Sequence, residues 1–255
     1  MKKLLLVMIA ACACMVGGVA QAAVSEIARG AAEAARSYGA AVRSCDMGWA
    51  FDYMYPPLKW LYAEQYGNRF GNEAESARRI MGLVEEPAAE VRARQQANMR
   101  ALRSYYVNMG EQMQRSGMKI ESFTVREPVA EYIVNPPMGV VNAARNDKRG
   151  ALSADQLQGE AERSRLVVLP TVLVVRGVDA HTGNTTRIER RGHIYAIRDE
   201  VVSGGVDRNG YTRHNTKLNQ WYFADGNTDI TILRAFFPNL PYKLTLPDGG
   251  ERVLR

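Results

Sequence analysis

From Ser25 onward, Ile27, Ala31, Ala34, Tyr38, Ala41, Cys45, Trp49 and Asp52/Tyr53 recur at steps of three and four, the spacing of one helix face. The pattern predicts one long helix with Ser25 as its N-cap. Pro56 and Pro57 end it, because proline lacks the amide hydrogen and pushes its predecessor out of the helical region. Leu58, Trp60, Leu61 and Tyr62 predict a second, short helix reaching Gly67. A third begins near Asn72, is interrupted around Pro87, and resumes through Val91, Met99, Leu102, Tyr105, Tyr106 and Met109 to Gly117.

Beyond Gly117 the period shortens to two and β-branched residues take over. Met118 to Val134 predicts a strand or bent strand pair, with Pro128 at an edge or bulge. Arg165 to Val178, containing LVVLPTVLVV, predicts a strongly apolar strand. Asp179 to Asn184 reads as a hairpin turn and Thr185 to Arg198 as the answering strand. Gln220 to Ala224, QWYFA, reads as a short final strand. The polar, breaker-rich stretches 135–164 and 199–216 read as inserted loops, and no internal repeat is visible. Helices followed by antiparallel strands give an α+β class, with the helices segregated to one face of a curved antiparallel sheet.

The opening MKKLLLVMIAACACMVGGVAQAA joins a basic start to an apolar run and the small-x-small pattern Ala20-Gln21-Ala22. It predicts export, with residues 1–22 a signal peptide cleaved before Ala23 and 23–255 a single domain. The destination is periplasmic or extracellular. Two alternatives are a lipoprotein modified at Cys12, since Ile9-Ala10-Ala11-Cys12 resembles a lipoprotein box, and an uncleaved membrane anchor. Only this N-terminal segment is expected to meet a membrane.

Losing Lys2 and Lys3 with the signal lowers the formal charge from +6 to +4. That excess favours acidic surfaces only weakly, and nucleic acid is not an expected partner outside the cytoplasm. Cys12 and Cys14 leave as well, so Cys45 stands alone without an internal disulfide partner.

The stretch CDMGWAFDYMYPP, Cys45 to Pro57, concentrates the candidate chemistry. Cys45 sits mid-helix on the apolar stripe with no histidine or cation paired to it in sequence, so it reads as a buried structural thiol. Asp46 and Asp52 are open to a catalytic role. Trp49, Phe51, Tyr53, Tyr55, Trp60, Tyr62, Trp221, Tyr222 and Phe223 read first as core. Trp49, Tyr53, Tyr195, Trp221 and Phe223 are the candidate lining of an apolar ligand cavity. Arg187, Arg190, Arg191 and Arg198 read as a solvated face with Glu189 rather than an anion site.

No metal or cofactor is expected. The histidines His181, His193 and His214 are scattered without HxH or HExxH spacing. Asp225 to Asp229 opens like a calcium loop but lacks the glycine and glutamate that would complete one. There is no GxSxG, P-loop or dinucleotide fingerprint.

The element order, the acidic and aromatic end CDMGWAFDYMYPP, the strand WYFADG and the following Ile232 to Leu240, ILRAFFPNL, resemble the NTF2-like (cystatin-like α+β cone) superfamily. The likeness is to secreted bacterial proteins that end W-x-F-x-D-G … L-x-x-x-F-P-x-L, and it covers Ser25 to Leu240. It implies a cone-shaped sheet closed by helices. In dehydratases and cyclases of that superfamily an Asp and a His inside the cone exchange protons with substrate. Here the resemblance points to Asp52 and to His193, which shares a strand face with Tyr195 and Ile197.

The expected function is that of an exported, non-enzymatic protein binding a partner protein or a small apolar ligand. A homodimer through the sheet is a further mode of partnership. The alternative is a cofactor-free lyase or isomerase using Asp52 and His193. An open apolar pocket of a few hundred Å³ holding both groups would favour the enzyme, and a cone filled by Trp49, Trp60 and Trp221 would remove it.

Overall fold

The computed structural model describes residues 25–67, 88–135, 163–178, 183–201 and 215–254. The expected signal segment, the start of the third helix, most of the 179–184 turn, His181, His214 and the middles of the two expected insertions lie outside them. In chain order the elements are α1 (Glu26–Arg43), α2 (Met47–Asp52), α3 (Pro56–Gly67), α4 (Ala88–Arg115), β1 (Lys119–Val125), β2 (Ala130–Val134), β3 (Arg163–Val178), β4 (Thr185–Val201), β5 (Tyr222–Asp225), α5 (Ile230–Phe236) and β6 (Gly250–Leu254).

The axis of the molecule is the long β3/β4 hairpin. β1 and β2 pair with successive lengths of β3, and β5 and β6 with successive lengths of β4, giving an open antiparallel sheet of six strands. Register divides the apolar run of β3 between two faces. Leu166 opposite Ile197 and Val168 opposite Tyr195 point to one side, while Val167 opposite Ala196 and Leu169 opposite Ile194 point to the other. Both sides are covered here, which is why LVVL reads as a continuous apolar run instead of an alternation.

On the first face Tyr55, Leu58, Tyr222, Leu233, Phe237 and Leu240 complete a core built by α3, β5 and α5. On the second, Ala28, Ala31, Ala32 and Ala35 of α1 lie against Val167, Leu169, Ile194, Ala196, Trp221 and Phe223. The buried stripe is therefore rotated from the expected one: Ile27, Ala34 and Tyr38 flank it half-buried. Small side chains let the helix lie close to the sheet. A Cβ on Gly39 would stand 2.4 Å from Phe123 Cδ1, so only glycine fits there without movement.

The single helix expected from Ser25 to Tyr53 is in fact two. Ser25 caps α1, its hydroxyl accepting from the Ala28 amide at 3.0 Å. At the other end the Asp46 amide donates to Ala41 O and the Cys45 amide to Val42 O, the pair of bonds of a Schellman ending with Cys45 in the left-handed region at φ 59°. Asp46 then caps α2, accepting from the Trp49 amide at 3.0 Å. Cys45 is buried as expected, but in a turn rather than mid-helix. Pro56 and Pro57 open α3 instead of closing α1, Pro56 taking a first-turn position whose amide needs no partner.

Two further departures concern the strands. β3 and β4 run into the regions read as loops, because Asp199 is fully buried and accepts from the Ser164 hydroxyl at 2.6 Å and the Thr216 hydroxyl at 2.5 Å. The strand expected at Gln220 to Ala224 is Tyr222–Asp225, and it is not final, since β6 follows. β6 is short, charged and exposed, so neither period nor composition marks it.

Candidate functional site

Residues 53–55 run beside β5, where the Tyr55 amide donates to Phe223 O at 2.9 Å and the Phe223 amide to Tyr53 O at 2.8 Å. This strap covers the outer edge of β5 and fixes α2 next to the sheet. It carries the aromatic residues of CDMGWAFDYMYPP to the side of α1. A groove of about 230 Å³ results, lined by Ala34 and Ser37 of α1, Trp49 and Tyr53 from α2 and its end, and Gln220, Trp221 and Phe223.

The walls are organised by ring contacts. Trp49 of α2 and Tyr53 just past its end, four residues apart, stack with centroids 4.0 Å apart and planes 20° from parallel. Phe223 is held from behind by Tyr38 at 4.8 Å. Arg198 lies over the Trp221 ring with its guanidinium carbon 5.0 Å from the centroid, a cation–π contact that holds the indole plane.

Arg198 is itself fixed. Its Nη2 donates to Glu200 at 2.7 Å, and Glu200 also receives Arg165 and lies 3.0 Å from Arg163 Nε. Arg165 in turn reaches Glu131 of β2. Burial alone would raise the Glu200 carboxyl, but the hydrogen bonds and charges of Arg198 and Arg165 outweigh it and hold the group below its ordinary value. The basic run read as one solvated face is thus divided. Arg187 pairs with Glu121 at 2.8 Å, Arg191 with Glu189 at 2.9 Å, and Arg198 serves the groove.

Of the residues expected to line a cavity, Trp49, Tyr53, Trp221 and Phe223 come together. Tyr195 does not: the pleat sends it to the opposite face, into the core with Leu166 and Tyr222. Trp60 also stands outside the groove lining. Ala34, Ser37 and Gln220 are lining residues the sequence reading did not single out. Ala34 and Ser37 were legible as an i, i+3 pair on the helix flank.

The expected proton-exchanging pair is not brought together. Asp52 is exposed at the end of α2, and Arg103 of α4 grips its two carboxylate oxygens through Nε at 2.9 Å and Nη2 at 2.8 Å. His193 lies in β4 opposite Pro170, with its ring edge-on to Tyr195 at 4.9 Å. Its Nε2 is buried without a hydrogen-bond partner among the described residues. Burial lowers the imidazole from its ordinary value, and the Asp225 charge opposes that shift. Asp46, the other carboxylate of the stretch, is committed to capping α2.

Among the described residues no group of three or more His, Cys, Asp or Glu is placed to hold a metal ion, and no helix is long and apolar enough to cross a membrane. No family model, curated protein or solved structure matches the chain.

Proposed function

We propose that the chain is an exported, non-enzymatic binding protein of NTF2-like build, whose groove beside β5 grips an apolar group about the size of one aromatic ring. Its ligand is the apolar side chain of a partner protein or a small molecule of that size. The observation that carries this reading is the stacked Trp49–Tyr53 pair set in one groove with Trp221 and Phe223.

Volume decides the ligand class. About 230 Å³ falls below the roughly 300–1,000 Å³ of sites that enclose whole drug-sized molecules, whereas one ring or branched side chain fits. The NTF2-like reading is supported by a long antiparallel hairpin with α1 laid along one face and short helices strapped to its edge. The engagement of Asp52 with Arg103, apart from His193, weighs against the lyase alternative.

Indole is the simplest probe. Titrated into the folded protein and followed by NMR, it is expected to shift the indole N–H signals of Trp49 and Trp221 together along one binding curve. Trp49→Ala removes half of the stack and is expected to weaken binding about tenfold while circular dichroism stays unchanged. Binding that leaves both indole signals in place, or equal affinity in the variant, would overturn the assignment.

A further inference from the structure

The pleat gives the turn end of the β3/β4 hairpin two unlike faces. Leu166 and Val168 belong to the side that carries the α3 and α5 core, and alternation places Val172, Val174, Arg176 and Val178 on that same side. Directly opposed residues share a face, so the register assigns the neighbours. One cross-strand row holds Lys119, Arg176 and Arg187, the next Ser122, Val174, Glu189 and Arg252, and the third Thr124, Val172 and Arg191. Glu121, at the irregularity of β1, reaches the same side by contacting Arg176 and Arg187. The other face is balanced in charge, with Arg190 directly opposite Glu251.

In these rows Lys119, Arg176, Arg187, Arg191 and Arg252 meet only the carboxylates of Glu121 and Glu189. Each carboxylate is shared between two arginines. Glu121 accepts from Arg187 Nη2 at 2.8 Å and lies 3.9 Å from Arg176 Nε, while Glu189 accepts from Arg191 Nε and Arg252 Nη2, each at 2.9 Å. The four arginine side chains remain between 46% and 59% exposed, but Glu121 is only 24% and Glu189 only 12% exposed. The anions are sunk beneath the cations, so the face presents positive potential to its surroundings. Like charges directly opposite destabilise a sheet, and an external anion would relieve the Lys119, Arg176 and Arg187 row.

We propose that this face docks on an anionic lipid surface, its arginines binding headgroup phosphates. Guanidinium forks match phosphate oxygens in geometry, and each has five N–H donors, more than the shared carboxylates use. Val178 lies on the same face and is 52% exposed, which adds an apolar contact at the boundary between headgroups and acyl chains. Cations and an exposed apolar side chain on one face suit a lipid surface better than an acidic protein. The docking face is the one turned away from α1, so the aromatic groove stays open when it is occupied.

The test mixes the full chain with vesicles of phosphatidylcholine alone or of equal parts phosphatidylcholine and phosphatidylglycerol, and measures bound protein by sedimentation. Binding to the anionic vesicles is expected to be stronger by about tenfold or more and to fade in high salt, which screens exposed charges. Arg190 and Arg191 are neighbours in the chain on opposite faces, so their variants change net charge equally. Arg191→Gln is expected to weaken binding about fivefold and Arg176→Gln/Arg191→Gln about 25-fold, with circular dichroism unchanged because each carboxylate keeps one arginine. Arg190→Gln is expected to bind as the natural chain does. Equal binding to both kinds of vesicle would assign the contact to the apolar N-terminal segment and overturn the proposal. Equal losses in Arg190→Gln and Arg191→Gln, no loss in the double variant, or capture by polyglutamate in place of vesicles would overturn it as well.

Discussion

His193 shows how a single buried atom couples the fold to pH. Its Nε2 is buried with no hydrogen-bond partner among the described residues and its ring is packed edge-on against Tyr195, so the folded chain accommodates the neutral imidazole better than the cation. Burial lowers its folded value below the ordinary one, so the unfolded chain takes up the proton first as pH falls. The stabilisation is complete above about pH 6.5 and is lost below it, with a slope of at most ~1.4 kcal/mol per pH unit for one proton. Thermal stability is expected to fall more steeply from pH 7 to 5 in the natural chain than in His193→Phe, which cannot titrate and keeps a ring against Tyr195. Parallel slopes would mean that His193 is solvated and takes no part. The strand face shared by His193, Tyr195 and Ile197 was legible from the two-residue period alone. The fate of Asp52 was not, because Arg103 lies 51 residues further along the chain and local spacing carries no information about such a partner.

At the scale of elements, strands were easier to read than helix ends. β3 and β4 stood out because a β-branched apolar run bounded by turn residues has few alternatives. The break between α1 and α2 stayed hidden because Cys45 occupies a left-handed position where glycine is the usual signal. What holds that turn is tertiary: α4 crosses it at Gly110, where an added Cβ would stand 2.2 Å from the Cys45 carbonyl oxygen. Two effects of Gly110→Ala therefore oppose each other. Helix propensity alone favours alanine by about 1 kcal/mol, while forcing a methyl into a packed crossing costs roughly 1–3 kcal/mol. The obstructing atom is backbone and cannot rotate away, so the crossing is expected to win. Denaturant unfolding should show a lower midpoint for the variant, and a raised midpoint would show that α4 does not press on the turn.

Across the whole molecule, the sheet is covered unevenly along its length. Where β3 and β4 meet β2 and β5, both faces carry a core; Leu166, Val167, Val168 and Leu169 are fully buried in succession. Towards the turn end of the hairpin, where β1 pairs with β3 and β6 with β4, Val172, Leu173, Val174 and Val175 are only half-buried and Val253 of β6 is 67% exposed. Stability should accordingly reside at the β2/β5 end, the end that also shapes the aromatic groove. Trp221, 9% exposed, packs between α1 and the sheet under Arg198, so Trp221→Ala is expected to cost about 3–5 kcal/mol, a large part of the 5–15 kcal/mol that holds an ordinary domain together. Val253→Ala, at the far end of the same sheet, is expected to stay within about 0.5 kcal/mol of the natural chain. Thermal melts of the two variants give the comparison directly. Equal losses would place Val253 in a buried contact that the isolated chain does not make, and an unshifted Trp221→Ala would remove the indole from the core and with it the rear wall of the groove.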